Sequence, residues 1–311
     1  MKDIGKFQAW LAQTRANFLL LAVFLVAIGL AYSAKYYPGQ DFSWLNAILI
    51  LAGTVSAHIS VNLFNELSDY YTKIDFLTKR TPFSGGSGML IQGKTKPRQV
   101  KAAAIGTLLF TAGTGAYFTF TAHWSIAVIS IIGAFTIVFY TSILAKVLLG
   151  ELFAGLALGT LVVIGSFIAM TGTAGAGLFQ LVPLEVWLVS IPPGILTSLL
   201  LLLNEFPDVE ADREGGRNHL VIKFGKKISA GLYTAGMVIT FLILLLLPLL
   251  GIASYWLFLA LIPLPVAFKA SQIALKQGED TEKLMPAMGM NVMVVLGTDL
   301  LIAVAVLLQL Q

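Results

Sequence analysis

Two acidic motifs in the chain share their residue types and their spacing. The first reads Asn65-Glu66-Leu67-Ser68-Asp69 and the second reads Asn204-Glu205-Phe206-Pro207-Asp208. Asn-Glu-x-x-Asp therefore occurs twice, 139 residues apart, and a further aspartate follows each copy, at Asp75 and Asp212. Residues four apart on a helix lie on one face, with Cβ atoms about 6 Å apart. Each motif thus directs an amide oxygen and a carboxylate to one side of its helix.

Two such faces that meet across a helical bundle would form a cage of hard oxygen ligands. These ligands suit Mg²⁺, which keeps several waters and shares its coordination shell with phosphate oxygens of a substrate. A structural zinc site is not expected, because the chain contains no cysteine and its three histidines, His58, His123 and His219, are scattered.

Basic residues alternate with the acidic motifs along the chain. They are Lys73, Lys79 and Arg80 after the first motif, Lys146 between the motifs, and Arg213 and Arg217 after the second. A divalent metal and nearby cations together stabilise the charge that develops on a diphosphate leaving group. The combination predicts cleavage of a diphosphate. Ordinary surface ion pairs are the alternative interpretation, and the duplication of the motif favours the site.

The elements that must position these residues are membrane-spanning helices. Of 311 residues, 57% are hydrophobic and 12% are charged, and a soluble protein has about 25% charged residues. This composition, with a mean hydropathy of +0.86, excludes a soluble enzyme, and the apolar runs do not alternate as barrel strands do. Nine apolar stretches have about the 20 residues that a spanning helix needs, at 16–34, 44–67, 102–122, 124–143, 149–170, 184–203, 229–249, 252–270 and 286–308. We therefore predict an all-α membrane protein with nine transmembrane helices.

The distribution of lysine and arginine predicts the orientation of these helices. If the N-terminus is cytoplasmic, the predicted cytoplasmic segments hold 19 of the 20 cations and leave Lys35 outside. This bias follows the positive-inside rule. We therefore expect the C-terminus outside, a location in the cell membrane, and both acidic motifs on the cytoplasmic side. The pI of about 9.2 reflects this topology, so no nucleic-acid partner is expected.

The first apolar stretch has a second interpretation. Lys2, Lys6 and Arg15 precede it, as in a signal peptide. The apolar core of such a signal has roughly 7–15 residues, and the stretch at 16–34 is longer. We therefore expect a retained membrane helix.

With its two motifs the chain resembles the UbiA family of integral-membrane aromatic prenyltransferases. The resemblance covers nearly all of residues 1–311, and it rests on the nine helices and on the aspartate-rich motifs at 65–75 and 204–212. It implies a single domain, a bundle around a central cavity that opens laterally to lipid, and an isoprenyl diphosphate held through Mg²⁺. Glu66 and Glu205 stand where the family usually has aspartate, and Pro207 lies within the second motif.

The spacing within the first motif indicates a branch of the family. Asp75 follows Asp69 by six residues, which is similar to the 1,4-dihydroxy-2-naphthoate prenyltransferases of menaquinone synthesis. The resemblance implies Mg²⁺-dependent transfer of an isoprenyl group to that aromatic acceptor, accompanied by decarboxylation. Other acceptors stay open: geranylgeranylglyceryl phosphate, 4-hydroxybenzoate, haem or chlorophyllide.

A secondary transporter is the alternative from a different functional class. Carriers also have duplicated motifs at discontinuous helices, but they place their coupling sites near the bilayer midplane. The acidic motifs of this chain fall at predicted helix ends, which favours the enzyme.

The resemblance and the spacing together assign roles as hypotheses. The predicted metal ligands are Asn65, Asp69, Asn204, Asp208 and Asp212. The predicted catalytic residues are Asp69, Asp75, Asp208 and Asp212, with Asp75 also a candidate base for the ring proton. The predicted diphosphate contacts are Lys73, Arg80, Tyr140 and Lys146. His58 and Asn62 share a helix face with the first motif and are expected to line the acceptor cavity, although hydrogen bonding between helices is an alternative role.

Three further features carry expectations. The glycine-rich segment 83–88 is interpreted as a phosphate-binding nest or as the hinge of a lid. Asn291 and Asp299 lie in the last apolar stretch, where polar side chains usually face protein or water. Glycines in the third and fifth stretches predict close helix packing.

Overall fold

The computed structural model describes residues 5–39, 42–172 and 175–310, so Lys2 lies outside the described residues. The described residues are helical and contain no β-strand. The helices are α1 (Lys6–Gln13), α2 (Leu19–Tyr36), α3 (Trp44–Tyr71), α4 (Ile74–Leu77), α5 (Pro97–Thr121), α6 (Ser125–Phe139), α7 (Gly150–Gly155), α8 (Leu161–Thr171), α9 (Leu178–Leu181), α10 (Leu184–Val189), α11 (Ile191–Asn204), α12 (Val209–Glu214), α13 (Leu220–Leu249), α14 (Leu264–Gln277) and α15 (Thr281–Leu307).

Eight helical segments of the described chain are long and apolar enough to cross a membrane. They are Ala16–Tyr36, Trp44–Tyr71, Pro97–Thr121, Gly150–Thr171, Leu184–Asn204, Leu220–Leu249, Tyr255–Gln277 and Thr281–Leu307. The stretch predicted at 124–143 contains the shorter α6, whose 15 residues extend about 22 Å at 1.5 Å per residue. The hydrocarbon core is about 30 Å thick. The all-α membrane fold is thus confirmed, while the ninth span and the orientation of the termini stay predictions.

The core of the bundle lies among α2, α8, α11, α13 and α15. Its largest fully buried side chains include Tyr32, Phe167 and Tyr233. Helix α5 lies at the edge of the bundle and leaves large apolar side chains such as Leu109 and Phe120 exposed. Apolar side chains on an outer face are what lipid tails solvate, which agrees with a membrane environment.

Small residues let the segment at 150–171 pack closely on α11. A Cβ atom added to Gly155 would lie 2.5 Å from the Gly194 carbonyl oxygen, and one added to Gly159 would lie 2.7 Å from Gly194 Cα. The predicted close packing is confirmed for these glycines. It is wrong for Gly106 and Gly113 of α5, where an added Cβ meets no atom within 4 Å.

Two of the predicted spanning helices are interrupted. The sixth predicted helix consists of α10 and α11, which meet at Ser190 immediately before Pro192. Helix α13 has non-helical backbone angles at Gly225, with φ of 80°. The break at Ser190 lies at the end of α11 that is remote from the second motif, whereas the break at Gly225 follows Arg217 and His219 closely in the chain.

Lys35, the lone cation predicted on the outer side, is paired within the bundle. Its Nζ lies 2.6 Å from Glu185 Oε2. The hydroxyls of Tyr36 and Tyr32 donate to the same carboxylate at 2.6 and 3.1 Å. The buried Glu185 is therefore fully partnered, and this cluster joins α2 to α10.

Candidate active site

The first motif lies on the last two turns of α3, which continues past it to Tyr71. Asn65 and Asp69 are one turn apart, and both accept hydrogen bonds from the Nη2 of Arg217, at 3.0 Å in the case of Asn65. The shared face that the spacing predicted is thus present. Asp75 lies on α4, a separate turn that begins after Lys73, whose backbone is left-handed with φ of 67°.

The second motif spans the break between α11 and α12. Helix α11 ends at Asn204, since Pro207 has no amide hydrogen and disrupts the helix. The chain stays tightly wound across the break, because the amide of Asp208 donates to the Glu205 carbonyl at 3.2 Å and the amide of Asp212 donates to the Asp208 carbonyl at 2.8 Å. Asn204, Asp208 and Asp212 consequently line the same cavity even though the helix is not continuous.

The two motifs meet at a polar cavity of about 80 Å³. Its polar lining includes Asn65, Asp69, Asp75, Asn204, Glu205, Asp208 and Asp212 from the motifs, together with Arg15, Thr78, Ser84, Tyr140 and Arg217. All five predicted metal ligands and all four predicted catalytic aspartates are therefore brought together here.

Arg217 joins the two motifs at the centre of this cavity. Its guanidinium forms ion pairs with Asp69 of the first motif and, at 2.8 Å, with Oδ1 of Asp212. The sequence grouped Arg217 with the cations expected to stabilise the diphosphate, but it did not predict that Arg217 pairs with both motifs. The feature of the sequence that could have indicated this contact is the pair Gly215-Gly216, which is typical of a turn. The turn folds the chain back, so that the Arg217 amide donates to the Asp212 carbonyl at 2.9 Å.

Four oxygen atoms of the motifs are buried in this region without a hydrogen-bond partner among the described residues. They are Asp75 Oδ2, Asn204 Oδ1, Glu205 Oε2 and Asp208 Oδ1. Burial and the neighbouring carboxylates of Asp69 and Glu66 raise the pKa of Asp75 to about 7. Burial and the Asp212 carboxylate raise the pKa of Asp208 to about 7. Oxygens that are buried and unpaired in this way are suited to a cation.

The glycine-rich segment binds the motif carboxylates through its backbone. The Gly85 amide donates to Asp208 Oδ2 at 3.2 Å, and the Ser87 amide donates to Glu66 Oε1 at 2.6 Å. Gly86 has φ of 68°, and an added Cβ there would lie 2.7 Å from Asp75 Oδ1. Two of the amides expected in a phosphate nest are thus occupied by protein carboxylates, and the segment connects both motifs.

Glu66 anchors the N-terminal segment to the first motif. Its carboxylate accepts hydrogen bonds from Gln13 Nε2 at 2.8 Å and from Ser87 Oγ at 2.6 Å, and it lies 3.4 Å from Arg15 Nε. The side chain is fully buried. The longer side chain of a glutamate reaches Gln13, Arg15 and Ser87 from α3. This explains why glutamate stands at the position where the family usually has aspartate.

The structure does not bring the predicted lysines to the cavity. The Lys73 ammonium lies 4.8 Å from the centre of the Phe76 ring, because its left-handed backbone turns the exposed side chain outward. Lys146 is exposed on the short turn Leu144–Lys146. Arg80 donates from Nε to the Gly85 carbonyl at 3.2 Å, so it supports the glycine-rich segment. Tyr140 lines the cavity, and its contact with the diphosphate stays a prediction.

A second cavity, of about 150 Å³, continues from the polar site into the bundle. Its lining includes His58, Asn62, Asn65 and Tyr140 as well as the apolar Leu21, Val61, Leu158 and Leu200. Asn62 donates to the Thr14 carbonyl at 3.1 Å, which is an interhelical role. His58 also borders a cavity of about 140 Å³ between α3, α5, α6 and α8. The two predicted acceptor residues therefore lie beside the polar site.

The polar residues of the last helix are separate from this site. Asn291 accepts from the Tyr233 hydroxyl at 3.2 Å and donates to the Leu199 carbonyl at 3.3 Å. Asp299 is fully buried, and neither of its oxygens has a hydrogen-bond partner among the described residues. Both side chains face protein, as expected.

Comparison with known proteins places this geometry in a family. Residues 22–294 match the model of the UbiA prenyltransferase family. A relative from Bacillus subtilis (strain 168), named 1,4-dihydroxy-2-naphthoate octaprenyltransferase, is 27% identical over 260 residues, which cover 83% of this chain and 79% of the relative.

Two solved structures share the fold. A UbiA homologue from Aeropyrum pernix K1 in its apo form has a TM-score of 0.70 and 16% identity, over 95% of this chain and 98% of that one. A UbiA homologue from Archaeoglobus fulgidus bound to GPP and Mg²⁺ has a TM-score of 0.59 and 17% identity, over 96% and 99% of the chains. The chain belongs to the UbiA prenyltransferase family, and it is a multi-pass membrane prenyltransferase.

Proposed function

We propose that the chain transfers an isoprenyl group from a prenyl diphosphate to 1,4-dihydroxy-2-naphthoate in lipid-quinone biosynthesis, in a reaction that depends on Mg²⁺. The observation that carries the proposal is the meeting of both acidic motifs at one buried polar cavity, which continues into a partly apolar one. The name of the Bacillus subtilis relative supports the acceptor, and the Archaeoglobus fulgidus homologue bound to GPP and Mg²⁺ supports the diphosphate and the metal.

The residues at the cavity fit Mg²⁺. The unpaired oxygens of Asp75, Asn204 and Asp208 are hard ligands, as are those of Asn65, Asp69 and Asp212. We assign Asn65, Asp69, Asn204, Asp208 and Asp212 as the residues that hold the metal. Bound there, Mg²⁺ supplies positive charge that stabilises the diphosphate leaving group.

The cations of the cavity hold the diphosphate in place. Arg217 lies at its centre with a side chain that is 13% exposed, and Arg15 forms part of its wall. Arginine presents its donors in a planar fork that matches phosphate oxygens. Arg80 and Lys146 stay predicted contacts from the segments around the cavity.

The inner cavity receives the reacting ends of the isoprenyl chain and of the acceptor. Apolar side chains such as Val61 and Leu200 line it beside the more polar His58 and Asn62. These walls keep water away from the allylic carbon while its bond to the diphosphate oxygen breaks. The acceptor ring then attacks that carbon, and the diphosphate leaves with the electron pair of the broken bond. The ring becomes aromatic again by losing a proton or, at the carbon that bears the carboxylate, CO₂. Asp75, with a pKa of about 7, is suited to accept such a proton near neutral pH.

The carrier interpretation is excluded by membership of a prenyltransferase family. The positive-inside distribution of lysine and arginine supports a position of the polar cavity on the cytoplasmic side of the cell membrane. Both substrates would therefore enter from the cytoplasmic side or laterally from the bilayer.

The test is an assay of the purified full-length protein in detergent with Mg²⁺, a labelled prenyl diphosphate and a panel of acceptors. The panel contains 1,4-dihydroxy-2-naphthoate, 4-hydroxybenzoate and geranylgeranylglyceryl phosphate. We expect a prenylated naphthoate product that disappears when EDTA is added. Product from another acceptor alone would overturn the assignment of the acceptor, and diphosphate release without any prenylated product would overturn the transferase reaction.

Matched variants connect this assay to the motifs. Asp69→Asn and Asp208→Asn remove one carboxylate from each side of the cavity and should lower the rate at least about 100-fold, the usual effect of losing a group that stabilises transition-state charge. Glu210→Gln is the control, because Glu210 is exposed on α12 between Asp208 and Asp212. Full activity in both aspartate variants would contradict the metal assignment.

A further inference from the structure

Three ionisable side chains converge beside the polar cavity from three different elements. Glu151 lies in the first turn of α7, Glu205 follows α11 directly, and His219 immediately precedes α13. Each offers one ligand atom, and these atoms all lie within 4.8 Å of one another. All three residues are more than nine-tenths buried.

One atom of each side chain is left without a hydrogen-bond partner among the described residues. These atoms are Glu151 Oε2, Glu205 Oε2 and His219 Nδ1. His219 Nδ1 lies 3.5 Å from Glu205 Oε2, beyond a good hydrogen bond. Burying an unpaired polar atom is costly, and the convergence of three side chains that each carry one indicates a missing common partner.

The other polar atoms of two of these side chains are held by the protein. Glu151 Oε1 accepts from the Leu220 amide at 2.8 Å. His219 Nε2 lies 3.2 Å from Asp212 Oδ2. A carboxylate that accepts from Nε2 fixes the tautomer in which Nδ1 carries a free lone pair, and this is the usual arrangement behind a histidine that binds metal.

The two glutamate carboxylates also repel each other when both are ionised, because their charges are poorly screened in a buried site. A divalent cation between them would offset this repulsion and would satisfy all three unpaired atoms at once.

We propose that Glu151, Glu205 and His219 form a second cation site, separate from the predicted Mg²⁺ site, which binds a divalent transition metal such as Mn²⁺ or Zn²⁺. An imidazole nitrogen with two carboxylates suits these metals, whereas Mg²⁺ prefers oxygen ligands alone. Through His219 the ion would fix Asp212, which in turn binds Arg217. The site is therefore a positioning site that holds the second motif against α7 and α13. This inference does not depend on the identity of the acceptor or on turnover.

The test is pulsed EPR of Mn²⁺ bound to the full-length protein in detergent after metal removal with EDTA. We expect ¹⁴N coupling from one imidazole, a signature that the Asn and Asp ligands of the Mg²⁺ site do not give. His219→Gln should abolish this coupling. Asp69→Asn and Asp208→Asn should retain it, although both should lack Mg²⁺-dependent transfer. His58→Gln is the control for the histidine, because His58 lies in the inner cavities, and it should retain the coupling.

A second measurement covers the case in which His219→Gln fails to fold. Glu151→Gln keeps an oxygen that can accept from the Leu220 amide, so the start of α13 is preserved. It should weaken Zn²⁺ binding at least about tenfold, since loss of an outer partner alone costs about 10–100-fold. Glu185→Gln, at the cluster with Lys35, should leave Zn²⁺ affinity unchanged. The proposal is overturned if Mn²⁺ saturates the wild type without imidazole coupling, or if Glu151→Gln binds Zn²⁺ as tightly as the wild type.

Discussion

Arg217 forms an ion pair with Asp69, although 148 residues separate them in the chain. The same guanidinium donates to Asp212 at 2.8 Å, so one side chain connects the two acidic motifs. Both carboxylates are buried, and a buried carboxylate without a partner is strongly unfavourable. Arg217 therefore stabilises the cavity in the absence of substrate and supplies charge at the place where a diphosphate would bind.

We first predict the effect of replacing Arg217. Arg217→Ala should lower the free energy of unfolding by about 3 kcal/mol, the cost of removing one partner of a buried ion pair. Arg217→Lys keeps the charge but loses the planar fork, so one hydrogen bond to a charged group, worth about 1.5 kcal/mol, is lost. We therefore expect the transfer rate of Arg217→Lys to fall about tenfold. Thermal unfolding in detergent and the transfer assay measure these effects.

Arg213→Ala is the matched control for this prediction. Arg213 belongs to the same loop but is exposed on α12. It should leave both stability and transfer close to the wild type. Equal effects in the Arg213 and Arg217 variants would show that the net charge of the loop, and not the ion pairs of Arg217, determines stability and transfer.

The second prediction concerns the glycine-rich segment. Gly86 and Gly93 both have φ of 68°, but an added Cβ at Gly86 meets the Asp75 carboxylate, whereas one at Gly93 meets no atom within 4 Å. The left-handed backbone costs a residue with a Cβ about 1–2 kcal/mol at either position. We expect Gly86→Ala to reduce transfer strongly, because Asp75 must move, and Gly93→Ala to retain it. Comparable activity of the two variants would argue that the position of Asp75 is unimportant.

Much of the site was predictable from the sequence because it follows from local periodicity. Asn65 and Asp69 share a face through the helical repeat, and the apolar stretches mark most spanning helices by length. Asn204, Asp208 and Asp212 also reach one cavity, since the turn around Pro207 stays tightly wound.

What the sequence did not predict depends on contacts between distant segments. Arg217 reaches Asp69 only because the Gly215-Gly216 turn reverses the chain, and Glu66 is buried because Gln13 and Ser87 come to it from elsewhere. Lys73 illustrates the opposite case. It is close to the first motif in sequence, yet its left-handed backbone directs it to Phe76.

The third prediction is a dependence of metal binding on pH. The pKa values of Asp75 and Asp208 are raised from 3.8 to about 7, and carboxylates bind metal in their ionised form. Apparent Mg²⁺ affinity should therefore increase as the pH rises through about 7. Isothermal titration across this range measures it, and the dependence should be flatter in Asp75→Asn and Asp208→Asn.

The same shifts predict the stability of the metal-free protein. Because the folded state binds these protons more tightly than the unfolded chain, their stabilising contribution is complete below pH 3.8 and is lost as the pH rises through about 7. With EDTA, the wild type should lose more stability between about pH 5.5 and 8 than Asp208→Asn does. A loss of the same size in both proteins would contradict the raised pKa of Asp208.

The last prediction concerns the ninth span and the orientation of the chain. Because the chain contains no cysteine, single cysteines can be labelled in intact cells with a maleimide that does not cross membranes. Thr121 and Lys146 lie on either side of α6 and are both exposed. If α6 crosses the bilayer, Thr121→Cys should be labelled from outside and Lys146→Cys only after lysis. The 15 residues of α6 are short for a span, and a thinner bilayer or the flanking Trp124 and Tyr140 compensate for such a mismatch.

Two reference positions calibrate this experiment. Pro38, after α2, and Gln92, before α5, are both exposed and lie on opposite sides in the predicted topology. Pro38→Cys should be labelled in intact cells, and Gln92→Cys should not. The reverse pattern would place the polar cavity on the outer face. Labelling of both Thr121→Cys and Lys146→Cys from one side would show instead that α6 does not span, because a helix that crosses the bilayer separates its two ends by the full hydrocarbon core.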